Sequence, residues 1–160
     1  MTKYFIYGLI AGAVSIAISS FLYVTKPDMY VGSVTRVLLE IGVYLPFMYM
    51  AARHAARNAT DFKQILRAAF VTFLVANLLA HGMEYYMYNY YDLKLADYQK
   101  DMWVKIYVQK DISNYKQAVD NVREGSYHTF AHTARTYTKA AIAGFGFSVL
   151  MTYIVNKLNT

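Results

Sequence analysis

Long apolar runs separated by short polar connections dominate the chain. The first run extends from about residue 4 to residue 24 without a charge, and others follow at about 34–52, 66–88 and 136–155. A helix rises about 1.5 Å per residue, so each run can cross a hydrocarbon core of about 30 Å. The pattern predicts an all-α protein, in which a bundle of four transmembrane helices forms a single membrane domain over residues 1–160.

The first apolar run also has to be compared with a secretory signal peptide, because Lys3 gives it a basic start. The run is longer than the apolar core of such a peptide, and no Ala-x-Ala cleavage site follows it. We therefore expect a retained membrane helix. It should end at Lys26-Pro27-Asp28, since proline cannot continue a helix.

Residues 92–135, between the third and fourth runs, contain the most polar part of the chain. Residues 92–124 hold six acidic and six basic residues, and neither Gly nor Pro interrupts them before Gly125. We expect a helical extramembrane segment over 92–135. A shift in apolar spacing at Met102-Trp103-Val104 predicts a bend or a break. Gly125 followed by Ser126 predicts a helix end and a new helix start.

Composition narrows the class of protein further. Hydrophobic residues make up 57% of the 160 residues and charged residues 16%, whereas soluble domains usually carry about 25% charged residues. The absence of cysteine excludes disulfide scaffolds, thiolate catalysis and iron–sulfur clusters. No phosphate loop, Ser-His-Asp order or dinucleotide fingerprint is present in the sequence. We expect no cofactor and no enzymatic activity.

Basic residues in the short connections predict the orientation in the membrane. Four basic residues and one acidic residue lie between positions 53 and 67, and such loops face the cytoplasm. With Lys3 and Lys157 on the same side, both termini are expected in the cytoplasm. The net charge of +6 is then a topology signal, and we expect no nucleic-acid partner. The tyrosines within 85–91 would lie at the outer membrane interface, where such rings are favoured.

Several polar residues fall at similar depth near the outer end of the predicted bundle. They form an intramembrane polar cluster: Arg36, Glu40, Asn77, His81, Glu84 and Arg135. Charged groups inside a membrane are costly, so they pair, face the bundle interior or serve a function. One interpretation is an interhelical lock, in which the two arginines neutralise the two glutamates. Another is a proton or substrate relay through Glu40 and His81.

A metal site is a further alternative at the same end of the bundle. Its candidate ligands form two pairs, each on one face of a helix: His81 with Glu84, and His128 with His132. Imidazole and carboxylate groups are ligands of zinc, but the neighbouring arginines would oppose a cation. We therefore assign no metal site.

Gly8 and Gly12 form a Gly-x-x-x-Gly pair on the first helix. Small residues at this spacing let another helix approach closely. We interpret both as helix-packing residues, whose neighbour can be a helix of the same bundle, a second copy or a partner protein.

Two segments of the chain resemble a known family. The first is Tyr7-Gly-Leu-Ile-Ala-Gly12, and the second is Asp61-Phe62-Lys63-Gln64-Ile65-Leu66-Arg67-Ala68 at the opening of the third helix. The likeness continues through the aromatic end of that helix into the charged residues after Tyr91. On these segments the chain is similar to a bacterial family of small four-helix membrane proteins classed as a domain of unknown function. The resemblance implies four spans and a bacterial inner membrane, and it supplies no catalytic residues.

These patterns favour a non-enzymatic protein of the lipid bilayer. The expected role is a small accessory or assembly subunit that binds other membrane proteins or itself. An oligomeric transporter or channel-like module, which uses the polar cluster at the outer end of the bundle, is the alternative. A metal-dependent membrane enzyme is a third hypothesis.

Overall fold

The computed structural model describes residues 2–31, 33–57, 61–109, 116, 119–120, 122, 125 and 128–159. These residues form six α-helices and one π-helical turn, and no strand occurs among them. In chain order the elements are α1 (Thr2–Thr25), α2 (Pro27–Val31), α3 (Ser33–Ala56), α4 (Phe62–Tyr86), the π-turn (Met87–Tyr91), α5 (Leu95–Gln109) and α6 (Phe130–Asn159). The predicted all-α fold class is confirmed.

Three stretches of helix in the described part of the chain are long and apolar enough to cross a membrane. They are Lys3–Thr25, Phe62–Tyr91 and Phe130–Leu158. The helix α3 has the same length as α1, 24 residues, but it is not one of the three. It carries Glu40 in its interior and Arg53 near its end, which lower its hydropathy. The described part of the chain is therefore helical, and three of its helices are able to span a membrane.

The helix α4 lies at the centre of the bundle. It packs against α1, α3 and α6, and α3 also contacts α1 and α6. Between the helices lie alanines whose side chains are at most 1% exposed: Ala11, Ala51, Ala52, Ala55, Ala68, Ala69 and Ala76. Because alanine is short, the helix axes can approach closely and make extensive van der Waals contact.

Gly8 and Gly12 lie where α1 crosses α4. A Cβ atom added to Gly8 would lie 2.6 Å from Cβ of Val75, and one added to Gly12 would lie 2.9 Å from Cβ of Leu79. Both distances are shorter than a van der Waals contact, so only glycine fits. The Gly-x-x-x-Gly face is thus covered by a helix of the same chain, and association with a partner has to use another surface.

A second, smaller core closes the end of the bundle at which α1 and α4 finish. Its buried residues come from α2, the π-turn and α5: Tyr30, Val31, Met87, Tyr88 and Leu95. We call α2, the π-turn, α5 and residues 128–129 the cap. Of the cap, α5 and residues 128–129 fall within the predicted extramembrane segment 92–135, whereas α2 and the π-turn lie outside it.

The sequence predicted a bend or a break at Met102-Trp103-Val104, and the structure has no break there. The helix α5 runs without interruption from Leu95 to Gln109. A shift in the apolar stripe moves the buried face around a helix without breaking its hydrogen bonds, so a change of phase alone does not end a helix. Residues 110–115, in the middle of the predicted 92–135 segment, lie outside the described residues.

Ser126, the predicted helix start, lies outside the described residues, and α6 begins at Phe130. His128 has a φ angle of 66°, in the left-handed region that an α-helix does not contain. The Thr129 hydroxyl accepts a 3.2 Å hydrogen bond from the backbone N–H of His132, as a helix-capping residue does. The backbone turn at His128 therefore sets where α6 begins.

Candidate functional site: the cap and the pocket beneath it

A small pocket lies between the bundle and the cap. Its walls come from α1, α2, α3 and α4, and its polar lining residues are Ser19, Tyr30, Glu40 and Glu84. The pocket has a volume of about 20 Å³, which is room for about one water molecule. Two carboxyl groups of the predicted cluster therefore face the same space, which can hold a water or a small cation but not a larger substrate.

Asn77 and His81, the next members of the predicted cluster, are buried one turn apart on α4. Their exposed fractions are 1% and 4%. The His81 ring packs edge-on against Tyr137 of α6, with 6.1 Å between the ring centroids. The side-chain amide of Asn77 makes no hydrogen bond within the described part of the chain. Neither residue is among those that line the pocket.

The structure describes the side chain of only one of the two arginines of the cluster. Arg135 is exposed on α6, and the side chain of Arg36 lies outside what the structure describes. Glu84 instead meets a histidine of the cap, with 3.7 Å between its Oε1 and Nδ1 of His128. One carboxyl group of the predicted interhelical lock is thus engaged by the cap.

His128 is at the centre of the cap and is 8% exposed. Its ring lies parallel to that of Tyr88, with 3.5 Å between centroids and 8° between planes. Its Nε2 lies 2.6 Å from Oε1 of Gln99 on α5. Its backbone carbonyl accepts a 2.9 Å hydrogen bond from the Asn89 side-chain amide. Together with the Glu84 contact, these interactions join α4, the π-turn, α5 and the chain entering α6 at one residue.

Two tyrosine–aspartate hydrogen bonds also fasten the cap. The Tyr23 hydroxyl at the end of α1 donates to Oδ2 of Asp92 at 2.9 Å, and the Tyr98 hydroxyl of α5 donates to Asp28 of α2. The bond to Asp28 raises the pKa of Tyr98, because an ionised phenol could not donate to the carboxylate; partial desolvation adds to the effect. No sequence pattern indicated these pairs, which are about 70 residues apart in the chain.

Aromatic side chains form a continuous exposed surface beside the cap. We call it the aromatic platform: Tyr85, Tyr86, Tyr90, Tyr91 and Phe130. Apart from the half-buried Tyr85, their exposed fractions range from 50% to 75%. The rings of Tyr86 and Tyr90 stack at 6.0 Å, and Tyr85 lies edge-on to Tyr90 and Phe130 at 6.0 and 6.3 Å. Four of the five tyrosines in the cluster therefore form a surface, to which the start of α6 adds a phenylalanine, whereas Tyr88 is buried in the cap.

The four candidate metal ligands do not meet at one point. The centroids of the His128 and His132 rings are 6.2 Å apart, and His81 packs on Tyr137. Over the described ranges, no group of three or more His, Asp or Glu side chains has an arrangement that could hold a metal ion. The hypothesis of a metal-dependent enzyme therefore gains no support from the geometry.

Comparison with known proteins identifies a family. The sequence model of the family described as "Protein of unknown function (DUF4199)" matches residues 6–157, nearly the whole chain. No curated protein and no solved structure matches the chain. The resemblance to a family of unknown function is confirmed.

Proposed function

Since the chain belongs to this DUF4199 family of unknown function, its role has to be argued from its own residues, and we propose that it is a non-enzymatic accessory or assembly subunit that binds another membrane protein. The aromatic platform carries this proposal. Four of its rings are at least half exposed, and they stand next to a cap that buried contacts hold in place. Large aromatic side chains on a rigid support are typical of the residues that dominate protein interfaces.

The proposal includes a bundle of four membrane-spanning helices, with α3 as the additional span. Its 24 residues correspond to about 36 Å of helix. Val37, Leu38 and Met50 on α3 are 49%, 66% and 48% exposed, as expected of side chains that contact lipid. Glu40 lines the pocket instead of facing lipid, and Arg53 lies in the last turn, where it would reach the headgroups.

In this proposal the end of the bundle opposite the cap faces the cytoplasm of a bacterial cell, with the chain in the inner membrane. The exposed basic residues at that end are Lys3, Arg53, Arg57, Lys63, Arg67 and Lys157. Lysine and arginine of short connections concentrate on the cytoplasmic side of membrane proteins. The aromatic platform would then lie at the opposite interface, where tyrosine is favoured and a neighbouring membrane protein can reach it.

The packing of the bundle favours an accessory role over transport. The interior away from the cap is filled by side chains that are at most 1% exposed: Met48, Ile65, Thr72, Thr152 and Val155. A path through the bundle would have to pass this layer. The pocket at the other end has room for about one water molecule.

An oligomeric transporter or channel-like module is the second candidate, and the shared pocket of Glu40 and Glu84 is the observation that favours it. This candidate predicts ion or proton flux in liposomes that Glu40→Gln abolishes while the amount of folded protein stays the same. The accessory role predicts no flux above that of protein-free liposomes, with either protein.

The proposed role is tested by purification in mild detergent from native membranes, comparing the wild type with Tyr90→Ala, Tyr91→Ala and Tyr153→Ala. Tyr153 on α6 is the matched control, because it is 61% exposed and the two platform residues are 67% and 63% exposed. We expect one stoichiometric membrane-protein partner with the wild type and the control. Each platform variant should recover about tenfold less of it, as loss of an interface hot spot does. Equal recovery from all four proteins, or recovery of the chain alone, would overturn the proposal.

A further inference from the structure

Both ring nitrogens of His128 face oxygen atoms. Nδ1 lies 3.7 Å from Oε1 of Glu84, and Nε2 lies 2.6 Å from Oε1 of Gln99. The amide nitrogen of Gln99 donates a 3.2 Å hydrogen bond to the carbonyl of Val31, which fixes the amide with its oxygen toward the histidine. A neutral imidazole has one N–H and can donate to one of the two oxygens, whereas an imidazolium has two. The Glu84 contact is too long for a hydrogen bond, but a protonated ring forms an ion pair with the carboxylate there, whereas a neutral ring satisfies only the Gln99 contact.

Some of the other side chains around the His128 ring favour a positive charge on it, and one opposes it. Tyr88 of the π-turn covers one face of the His128 ring, and the face of an aromatic ring attracts a cation. Tyr30 of α2 stacks on Tyr88 with 6.4 Å between ring centroids. His132 of α6, 6.2 Å away between centroids, would oppose a charge on His128 when it is itself protonated. Glu84 of α4 supplies the negative charge closest to the ring along the described contacts.

The backbone at His128 is in the left-handed region, which is unfavourable for a residue with a side chain. A residue with a side chain costs about 1–2 kcal/mol in the left-handed region, and His128 has a φ of 66°. The ring contacts and the hydrogen bond from Asn89 to the carbonyl hold it there. The contacts of the His128 ring offset this strain. Loss of these contacts therefore favours a change in the conformation of the segment.

The same segment is connected to the aromatic platform. Asn89, which binds the His128 carbonyl, immediately precedes Tyr90 in the π-turn. Phe130 follows two residues after His128 and packs against Tyr85. A change in the backbone at His128 therefore acts on two sides of the platform.

We propose that His128 is a pH-operated latch on the cap. In the protonated form it holds α5 and the start of α6 on the bundle, and its deprotonation releases them. Since the closed cap binds the proton, its stability is fully present at acidic pH and is lost as the pH rises through the range in which the histidine deprotonates. The consequence for partner binding, that the platform is rearranged as the pH rises, rests on the proposed function; the latch itself does not.

The single tryptophan of the chain reports on the latch. Trp103 lies on α5, one turn after Gln99, so its fluorescence emission follows the position of this helix. Emission of the full-length protein in lipid nanodiscs is recorded from pH 5 to 8.5. We expect one transition in the wild type and none in His128→Asn, a change that removes the titrating ring while asparagine tolerates the left-handed backbone. The matched control His132→Asn should keep the transition.

A second variant tests the latch even if His128→Asn does not fold. Glu84→Gln keeps the histidine but removes the negative charge at Nδ1, so the midpoint of the transition should fall by about one pH unit. A flat wild-type titration, a transition that persists in His128→Asn, or an unchanged midpoint in Glu84→Gln would overturn the latch. No partner is present in this experiment, so its failure refutes the latch alone, and a failed partner purification refutes the proposed function alone.

Discussion

Single small residues decide how closely the helices pack, and Gly144 on α6 is the clearest case. A Cβ atom there would overlap the ring of Phe73 on α4. That ring packs edge-on against Tyr44 at 5.6 Å, so it cannot move aside freely. We expect Gly144→Ala to lower the free energy of unfolding by about 1–3 kcal/mol, the usual effect of overpacking a core. Unfolding by heat or by denaturing detergent measures it.

Gly146 provides the matched control for this change, because a Cβ atom there meets no heavy atom within 4 Å. Gly146→Ala should leave the free energy of unfolding unchanged or raise it slightly, since alanine is the better helix former. Equal losses in the two variants would show that the Phe73 contact is not what constrains position 144.

Residue spacing in the sequence identified some of these positions and not others. Gly8 and Gly12 stand out because they are one helical turn apart in an apolar run. Gly144 does not, because it lies among other small residues and only the packing shows which of them meets Phe73. The role of His128 was also hidden, since a left-handed backbone and a stacked ring depend on where the chain returns to the bundle.

At the scale of elements, the hydrogen bond from Tyr98 to Asp28 joins α5 to α2, and it should make the cap sensitive to alkaline pH. The raised pKa of Tyr98 means that this bond stabilises the fold at neutral pH and that its contribution is lost as the pH rises above the usual range of tyrosine. We expect the melting temperature of the wild type to fall more steeply between about pH 9 and 11 than that of Tyr98→Phe. Asp28→Asn should resemble Tyr98→Phe. Parallel curves for all three proteins would contradict this assignment.

Apolar runs predicted the long helices of the bundle but not the short elements of the cap. The helix α2 has five residues and follows directly on Lys26, so the sequence predicts only a turn at Pro27. In the π-turn a hydrogen bond joins residues five apart, one more than in an α-helix. It is the 2.9 Å bond from the Asp92 N–H to the Met87 carbonyl. Contacts within the cap decide whether such short segments form a helix or a π-turn. Hydrophobic periodicity carries no information about these contacts.

At the scale of the whole molecule, the proposed fourth span can be tested by labelling. The chain has no cysteine, so an introduced cysteine is its only thiol. Lys26 and Arg57 are both exposed, and they lie at opposite ends of α3. If α3 crosses the membrane, a membrane-impermeant maleimide should label Lys26→Cys in intact spheroplasts and Arg57→Cys only after permeabilisation. Labelling of both from the same side would show that α3 does not span.

The sequence predicted the depth of the polar residues correctly for Glu40 and Glu84, but it did not predict which residues they contact. Glu40 and Glu84, placed at similar depth by their distance from the helix ends, do line one pocket. His81 was expected to join them, but it faces Tyr137 on α6. The rotation of each helix about its axis decides such pairings, and many small contacts in the bundle set that rotation. The contact of Glu84 with His128 also depends on the path of the chain through the cap.

The most direct test of the account is photo-crosslinking in native membranes, with a benzophenone amino acid in place of Tyr90 or, as the control, Tyr153. We expect a discrete adduct with one membrane protein from position 90 on the aromatic platform. From position 153, on the exposed surface of α6, we expect adducts with lipid only. Lipid adducts alone at both positions, or the same protein adduct from both, would contradict the claim that the platform is the binding surface.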